Sequence, residues 1–176
     1  MKPILTMLSG VILAGAPLAW GQGGAPTDPQ IAAIVVTANQ VDIDAGKLAK
    51  SKAGSNAVKE FAELMIKDHG AVNQSATELV QKLHVNPESS ATSRSLQKDG
   101  DQNLATLQGL SGKAFDRAYV DHEVAYHQAV LDAVDKTLIP SASNAQLKAL
   151  LVKVRPAFVA HLEHAKQLQA SLSKSS

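Results

Sequence analysis

Residues 55–83, SNAVKEFAELMIKDHGAVNQSATELVQKL, decide the fold. Val58, Phe61, Ala62, Met65, His69, Val72, Ala76, Leu79 and Leu83 recur at steps of three and four, with charged and amide side chains between them. That spacing draws an apolar stripe along about seven turns of α-helix, and Ser55 or Asn56 supplies its N-cap. One member is discordant. His69 places an ionisable ring in mid-stripe, and burying such a group costs free energy unless it is paired or bound.

Working outward, the same period marks three more long helices. In the first, Asp28 is the expected N-cap, Pro29 takes the first helical position, and Thr27 with Gln30 offers a capping box. Its stripe is Ile31, Val35, Ala38, Asp42, Ala45 and Ala49, and Gly54 suits the C-terminal cap. Another long helix runs from Lys113 to Leu138 on Val120, Val124, His127, Leu131, Val134 and Leu138, and Pro140 is expected to stop it. Ser143 and Gln146 predict a capping box for the last helix, whose stripe is Leu147, Leu151, Val154, Phe158, His161, Ala165, Leu168 and Leu172. Pro156 predicts a kink there, just before His161. A loop over Val85–Ser90 and a shorter, more polar helix from Thr92 to near Leu110 lie between the pairs. Short turns within each pair predict antiparallel hairpins, and about 28 residues between the pairs are far more than a turn needs. Nothing alternates with period two. The expected class is all-α: a ferritin-like four-helix bundle of two hairpins joined by a long crossover that carries a short extra helix. An up-down-up-down bundle with an accessory helix is the alternative.

The chain ends and the composition bound the function. Met1-Lys2, an apolar run from Ile4 to Leu18, and Ala19-Trp20-Gly21 read as a secretory signal peptide over residues 1–21. A flexible leader over 22–28 and a single domain over 29–173 follow. No other apolar run is long enough for a membrane span in the mature protein. With no cysteine, neither a disulfide nor a lipid-anchored N-terminus is available, and a periplasmic location is expected. Loss of Lys2 with the signal leaves acidic and basic residues balanced, and no basic block marks a nucleic-acid or anionic-membrane surface. A cysteine nucleophile, a phosphate-binding glycine loop and G-x-S-x-G are all missing, so hydrolase and nucleotide chemistry have no support and no catalytic residues are assigned.

What remains is a constellation. Asp42, His69, His127 and His161 each fall on the apolar stripe of a different long helix, near its middle. At 100° per residue Asp44 and His122 leave their stripes and His164 sits at an edge, so His122 and His164 read as solvated surface groups. Counting from the hairpin turns, the heights of the inward residues agree to about 4–5 Å at 1.5 Å rise per residue. Three imidazoles and a carboxylate are a donor set for zinc, copper, nickel or iron. Asp42 is then a fourth ligand or an acceptor behind a ring, and Glu123 and Asp68 are placed to orient imidazoles by taking their second N–H proton. The metal-free alternative is a polar network in which neutral histidines are satisfied by Asp42, Tyr119, Tyr126 or ordered water.

The stretches VDIDAGKLA (Val41–Ala49), FAELMIKDH (Phe61–His69) and SGKAFDRAY (Ser111–Tyr119), with Pro156 followed by His161, resemble domain of unknown function 4142. That is a family of exported bacterial proteins placed in the ferritin-like superfamily, and the resemblance runs over residues 30–172. It implies a ferritin-like bundle and gives weight to His69, His127 and His161. It implies no established activity. Di-iron enzymes of the wider superfamily carry Glu-x-x-His on two helices. Here Ile66 and Phe158 stand three residues before His69 and His161, and Glu123 is four before His127. Sequestration or stress protection is therefore expected rather than turnover.

Overall fold

The computed structural model describes residues 24–174, so the signal segment expected over 1–21 and the first leader residues lie outside them. The protein is all-helical, with no strand among the described residues. Its elements are α1 (Asp28–Lys52), α2 (Asn56–Lys82), α3 (Ala91–Gln108), α4 (Gly112–Ala133), a π-helical turn (Val134–Leu138), the three-residue α5 (Ile139–Ser141) and α6 (Ala145–Lys174).

Helix ends are tied by side chains from other helices, and three of the expected caps move. Thr27 caps α1 in a reciprocal box with Gln30, so Asp28 is the first helical residue and not the cap. Its carboxylate is released to accept the Ser143 and Asn144 N–H groups, each at 2.9 Å. The α6 cap is Asn144, whose Oδ1 accepts from Gln146 and Leu147, and the expected Ser143–Gln146 box does not form. At the other end α1 closes on Ala53 rather than Gly54. The Gly54 and Ser55 N–H groups donate to Asp116 at 2.9 and 2.8 Å, so a buried carboxylate on α4 caps α2 while the Ser55 side chain makes no cap bond. An anion there also meets the positive end of the helix dipole.

These ties fix chain direction. Glu88 N–H donates to Pro29 C=O, returning the chain after α2 to the start of α1. Lys52 Nζ reaches the Leu107 and Gln108 carbonyls, which puts the ends of α1 and α3 together. Gln169 near the end of α6 bonds Asp121 in the first half of α4. Thus α1, α3 and α6 run one way and α2 and α4 the other. Along their lengths α1 packs on α2 and α3, and α4 packs on α6. A Cβ at Gly100 would stand 2.7 Å from Val41 Cγ2, so α3 lies this close to α1 only because Gly100 has no side chain.

The long helix expected to stop at Pro140 behaves differently. It leaves α geometry after Ala133, passes through the π turn with Ile139 N–H donating to Val134 C=O, and continues past Pro140 to Ser141. A proline ring presses on the carbonyl four residues back, and the widened turn moves that carbonyl aside. Arg155 on α6 grips Asp135 in this turn at 2.6 and 2.7 Å. Pro156 sits inside α6, which remains helical over Ala145–Lys174.

Two apolar halves make up the core. One is built around Ile31, Ile34, Leu96, Leu131 and Leu151, the other around Phe61, Met65, Leu107, Phe115 and Val120. Between them lie Asn39, Asp42, His69, Glu123, His127 and His161, none more than 3% exposed.

Replacing Asp116 by alanine strips the α2 cap and is expected to lower stability by about 2 kcal/mol, read as a shift in the urea midpoint at constant slope. Asp116→Asn, which keeps an acceptor, should recover part of the loss.

Candidate metal centre

Each polar residue of the central layer is aimed inward by helical period. Asn39 and Asp42 come from α1, His69 from α2, Glu123 and His127 from α4, and His161 from α6. The three imidazoles meet, with ring centroids 5.4, 5.2 and 5.5 Å apart. One nitrogen of each lies within 4.8 Å of the others, close enough to share an ion. Ligands at about 2.0–2.1 Å around a tetrahedral ion stand roughly 3.3 Å apart. His69 Nε2 and His127 Nε2 are already at 3.3 Å.

The hydrogen-bond network assigns the tautomers. Asn39 Nδ2 donates to Val35 C=O at 2.8 Å, which turns Asn39 Oδ1 toward His69. His69 Nδ1–H therefore donates to that oxygen at 2.7 Å. His127 Nδ1–H donates to the Glu123 carbonyl at 3.0 Å. Both Nε2 atoms are left bare and facing, and two lone pairs so placed repel unless a cation or proton lies between them. On the third ring, Nε2–H donates to Asp68 at 2.9 Å, and His161 Nδ1 is buried without a partner among the described residues. Phe158 stacks on His69 at 5.3 Å and 7°, holding the plane of that ring.

The expected carboxylates take distinct places. Asp42 Oδ2 lies 3.5 Å from His69 Nδ1, behind the ring and away from the facing nitrogens. Glu123 sits behind His127 in the same way, with Oε2 at 3.4 Å from Nδ1. Asp68, adjacent in sequence to His69, serves His161 instead. Asn39 was not anticipated; it falls four residues after Val35 and three before Asp42 on one stripe, and an amide there was its only signal. Contrary to expectation, His122 is not a solvated surface group. Its ring stacks on Tyr126 at 5.4 Å and its Nδ1 is buried, while His164 packs edge-on against Phe61 at 5.0 Å. Neither belongs to a metal-competent group among the described residues.

Burial dominates the electrostatics. It pulls His69 well below the ordinary imidazole range, helped by the charges of His127 and His161. His161 is lowered by burial, against the opposing effect of its hydrogen bond to Asp68. Burial likewise raises Asp42 well above the usual carboxylate range, partly offset by His127. His127 goes the other way: burial opposes its charge, but Asp42 and Glu123 outweigh it and raise the ring to about 9. The metal-free protein thus carries a proton on His127, in the place where its Nε2 faces the lone pair of His69.

Fold and site together define an all-helical protein with a buried His/Asp/Glu cluster able to hold a metal ion. The chain belongs to the family described as domain of unknown function (DUF4142), whose model matches residues 16–168. No curated protein and no solved structure matches it.

Because His127 stands near 9 when folded against 6.5 for a free imidazole, the folded state holds the extra proton between those values. Its stabilising effect is complete below the lower value and disappears as pH rises through the upper one. Asp42, also raised, acts in the same sense, and the lowered His69 and His161 act below this window. Chelator-treated protein should therefore melt several degrees lower at pH 9 than at pH 6.5, a slope that His127→Asn flattens.

Proposed function

We propose that this chain is an exported, periplasmic protein with a ferritin-like four-helix bundle, binding one transition metal through His69, His127 and His161 for sequestration or stress protection. In this bundle α1/α2 and α4/α6 are the hairpins, and α3 is the extra helix carried on the crossover. Chain direction favours that reading, because α3 brings the chain back along α1 before α4 begins. Export rests on the charged start, apolar run and small-residue pattern of residues 1–21.

One observation carries the metal reading. Two buried imidazole rings with their Nδ1–H protons committed elsewhere face each other through Nε2 at 3.3 Å, beside a third ring whose buried Nδ1 has no partner among the described residues. Nitrogen donors of this kind suit zinc, copper, nickel or iron. Asp42, Glu123 and Asp68 surround the rings with negative charge, which favours a divalent ion, and each orienting acceptor raises ligand basicity. Ligands no more than 3% exposed suit retention of an ion better than rapid exchange. The second reading is a metal-free envelope or stress-response protein whose histidines form a structural network. The bonds to Asn39, Asp68 and the Glu123 carbonyl favour it, with His127 protonated to bridge to His69.

Protein purified without chelator should contain close to one of these metals per chain by elemental analysis. At about a hundredfold excess over Kd, added metal should stabilise wild type by about 2.7 kcal/mol. In His127→Ala both the content and the metal-dependent rise in melting temperature should vanish. If the variant keeps both, the metal reading is wrong. Under the second reading the substitution lowers melting equally with and without metal.

A further inference from the structure

A second group of buried donors adjoins the three histidines. Asp42, Glu123 and His127 each bring one ligand atom within 4.8 Å of the others. Both carboxylates are buried, Asp42 at 3% and Glu123 at 0% exposure, yet Asp42 Oδ1, Glu123 Oε1 and Glu123 Oε2 have no hydrogen-bond partner among the described residues. The hydroxyl of Tyr119, a fully buried residue, is in the same condition. Native interiors rarely leave such atoms orphaned, so a cluster of four marks a place for a water, an ion or a proton shared between the two carboxylates.

Helical period explains the grouping. Tyr119, Glu123 and His127 follow one another at four-residue steps on α4, so they form a column on one face with Asp42 opposite on α1. Burial pushes the Tyr119 phenol well above its ordinary range, and the charges of Glu123 and Asp42 add to the rise. His127 is the wall between two compartments. Its Nε2 faces His69, while its Nδ1 edge lies 3.4 Å from Glu123 Oε2 and gives its proton to the Glu123 carbonyl. With that nitrogen engaged, the donors left on the far side are oxygens.

We infer that Asp42, Glu123 and the Tyr119 hydroxyl form a second cation position, one helical turn along α4 from the three-histidine centre, selective for a hard divalent ion of the manganese or magnesium class. Carboxylate and hydroxyl oxygens suit such ions, whereas imidazole suits the later transition metals. The two positions thus differ in chemistry. Asp42 and Glu123 each bring an oxygen within 4.8 Å of the other, close enough to share an ion. The inference extends the reading proposed above, since His127 bounds both positions, but its own ligands are separate from the three imidazoles.

The test uses the full mature chain, stripped with chelator, given one equivalent of Zn2+ to fill the nitrogen centre, and then titrated with Mn2+. Free Mn2+ is read by electron paramagnetic resonance and Zn2+ by elemental analysis. Wild type should bind about one Mn2+ per chain. Tyr119→Phe should weaken Mn2+ binding severalfold with zinc content and the helical circular dichroism spectrum unchanged, and Glu123→Gln, which also removes charge behind His127, should weaken Mn2+ binding by about tenfold or more with the helical spectrum unchanged. His161→Ala should lose zinc and keep manganese. A wild type that takes zinc and no manganese overturns the second position and leaves the three-histidine centre standing. Manganese binding indifferent to both Glu123→Gln and Tyr119→Phe overturns it equally. A chain that binds neither ion overturns both readings.

Discussion

The structure depends on a polar layer set across the middle of an otherwise apolar core. Six side chains capable of charge or strong hydrogen bonding occupy the level at which the helices would ordinarily bury leucine or valine. Each arrives with its own desolvation cost, and the layer is tolerable only because its members serve one another. Asn39 accepts a hydrogen bond from His69, the Glu123 carbonyl accepts one from His127, and Asp68, outside the six, accepts one from His161. What these bonds leave over, bare nitrogens on one side of His127 and unpartnered oxygens on the other, is what gives the layer its chemistry.

For that layer to exist, residues on four helices must reach the same depth. Capping across the helices sets this register. Asp28 ties the start of α1 to the start of α6, and Asp116 on α4 ties the turn between α1 and α2. The two anchors lie at opposite ends, so each helix is located along its axis by a charge-assisted bond rather than by apolar packing, which tolerates sliding. Near the layer itself, the Tyr126 hydroxyl donates to the Ala38 carbonyl and clamps α4 on α1. The π turn at Val134–Leu138 lets the chain carry Pro140 and still turn into α6 at the right height.

The protonation pattern and the proposed metal-bound form would be two states of one arrangement. Without an ion, the proton on His127 offsets neighbouring carboxylate charge and separates two facing lone pairs. A divalent ion would displace that proton and take over both tasks, so binding and proton release are linked.

Much of this was legible in the chain itself. The three-and-four spacing gave every long helix, because burial of one face imposes it whatever the partner. The same spacing singled out Asp42, His69, His127 and His161 as inward, since a polar residue on an apolar stripe has nowhere else to point. Thr27–Gln30 was readable as a cap for the same local reason. Other features depend on who the neighbour is, and no local pattern carries that. Asp28 and Asp116 cap helices that are distant in sequence, Asp68 serves His161 rather than the adjoining His69, and His122 is covered by Tyr126 although its angular position suggested solvent. Period alone determined which faces turn inward. Only packing decided which inward groups touch, because contact depends on relative height and rotation of separate helices, and those are set by long-range hydrogen bonds.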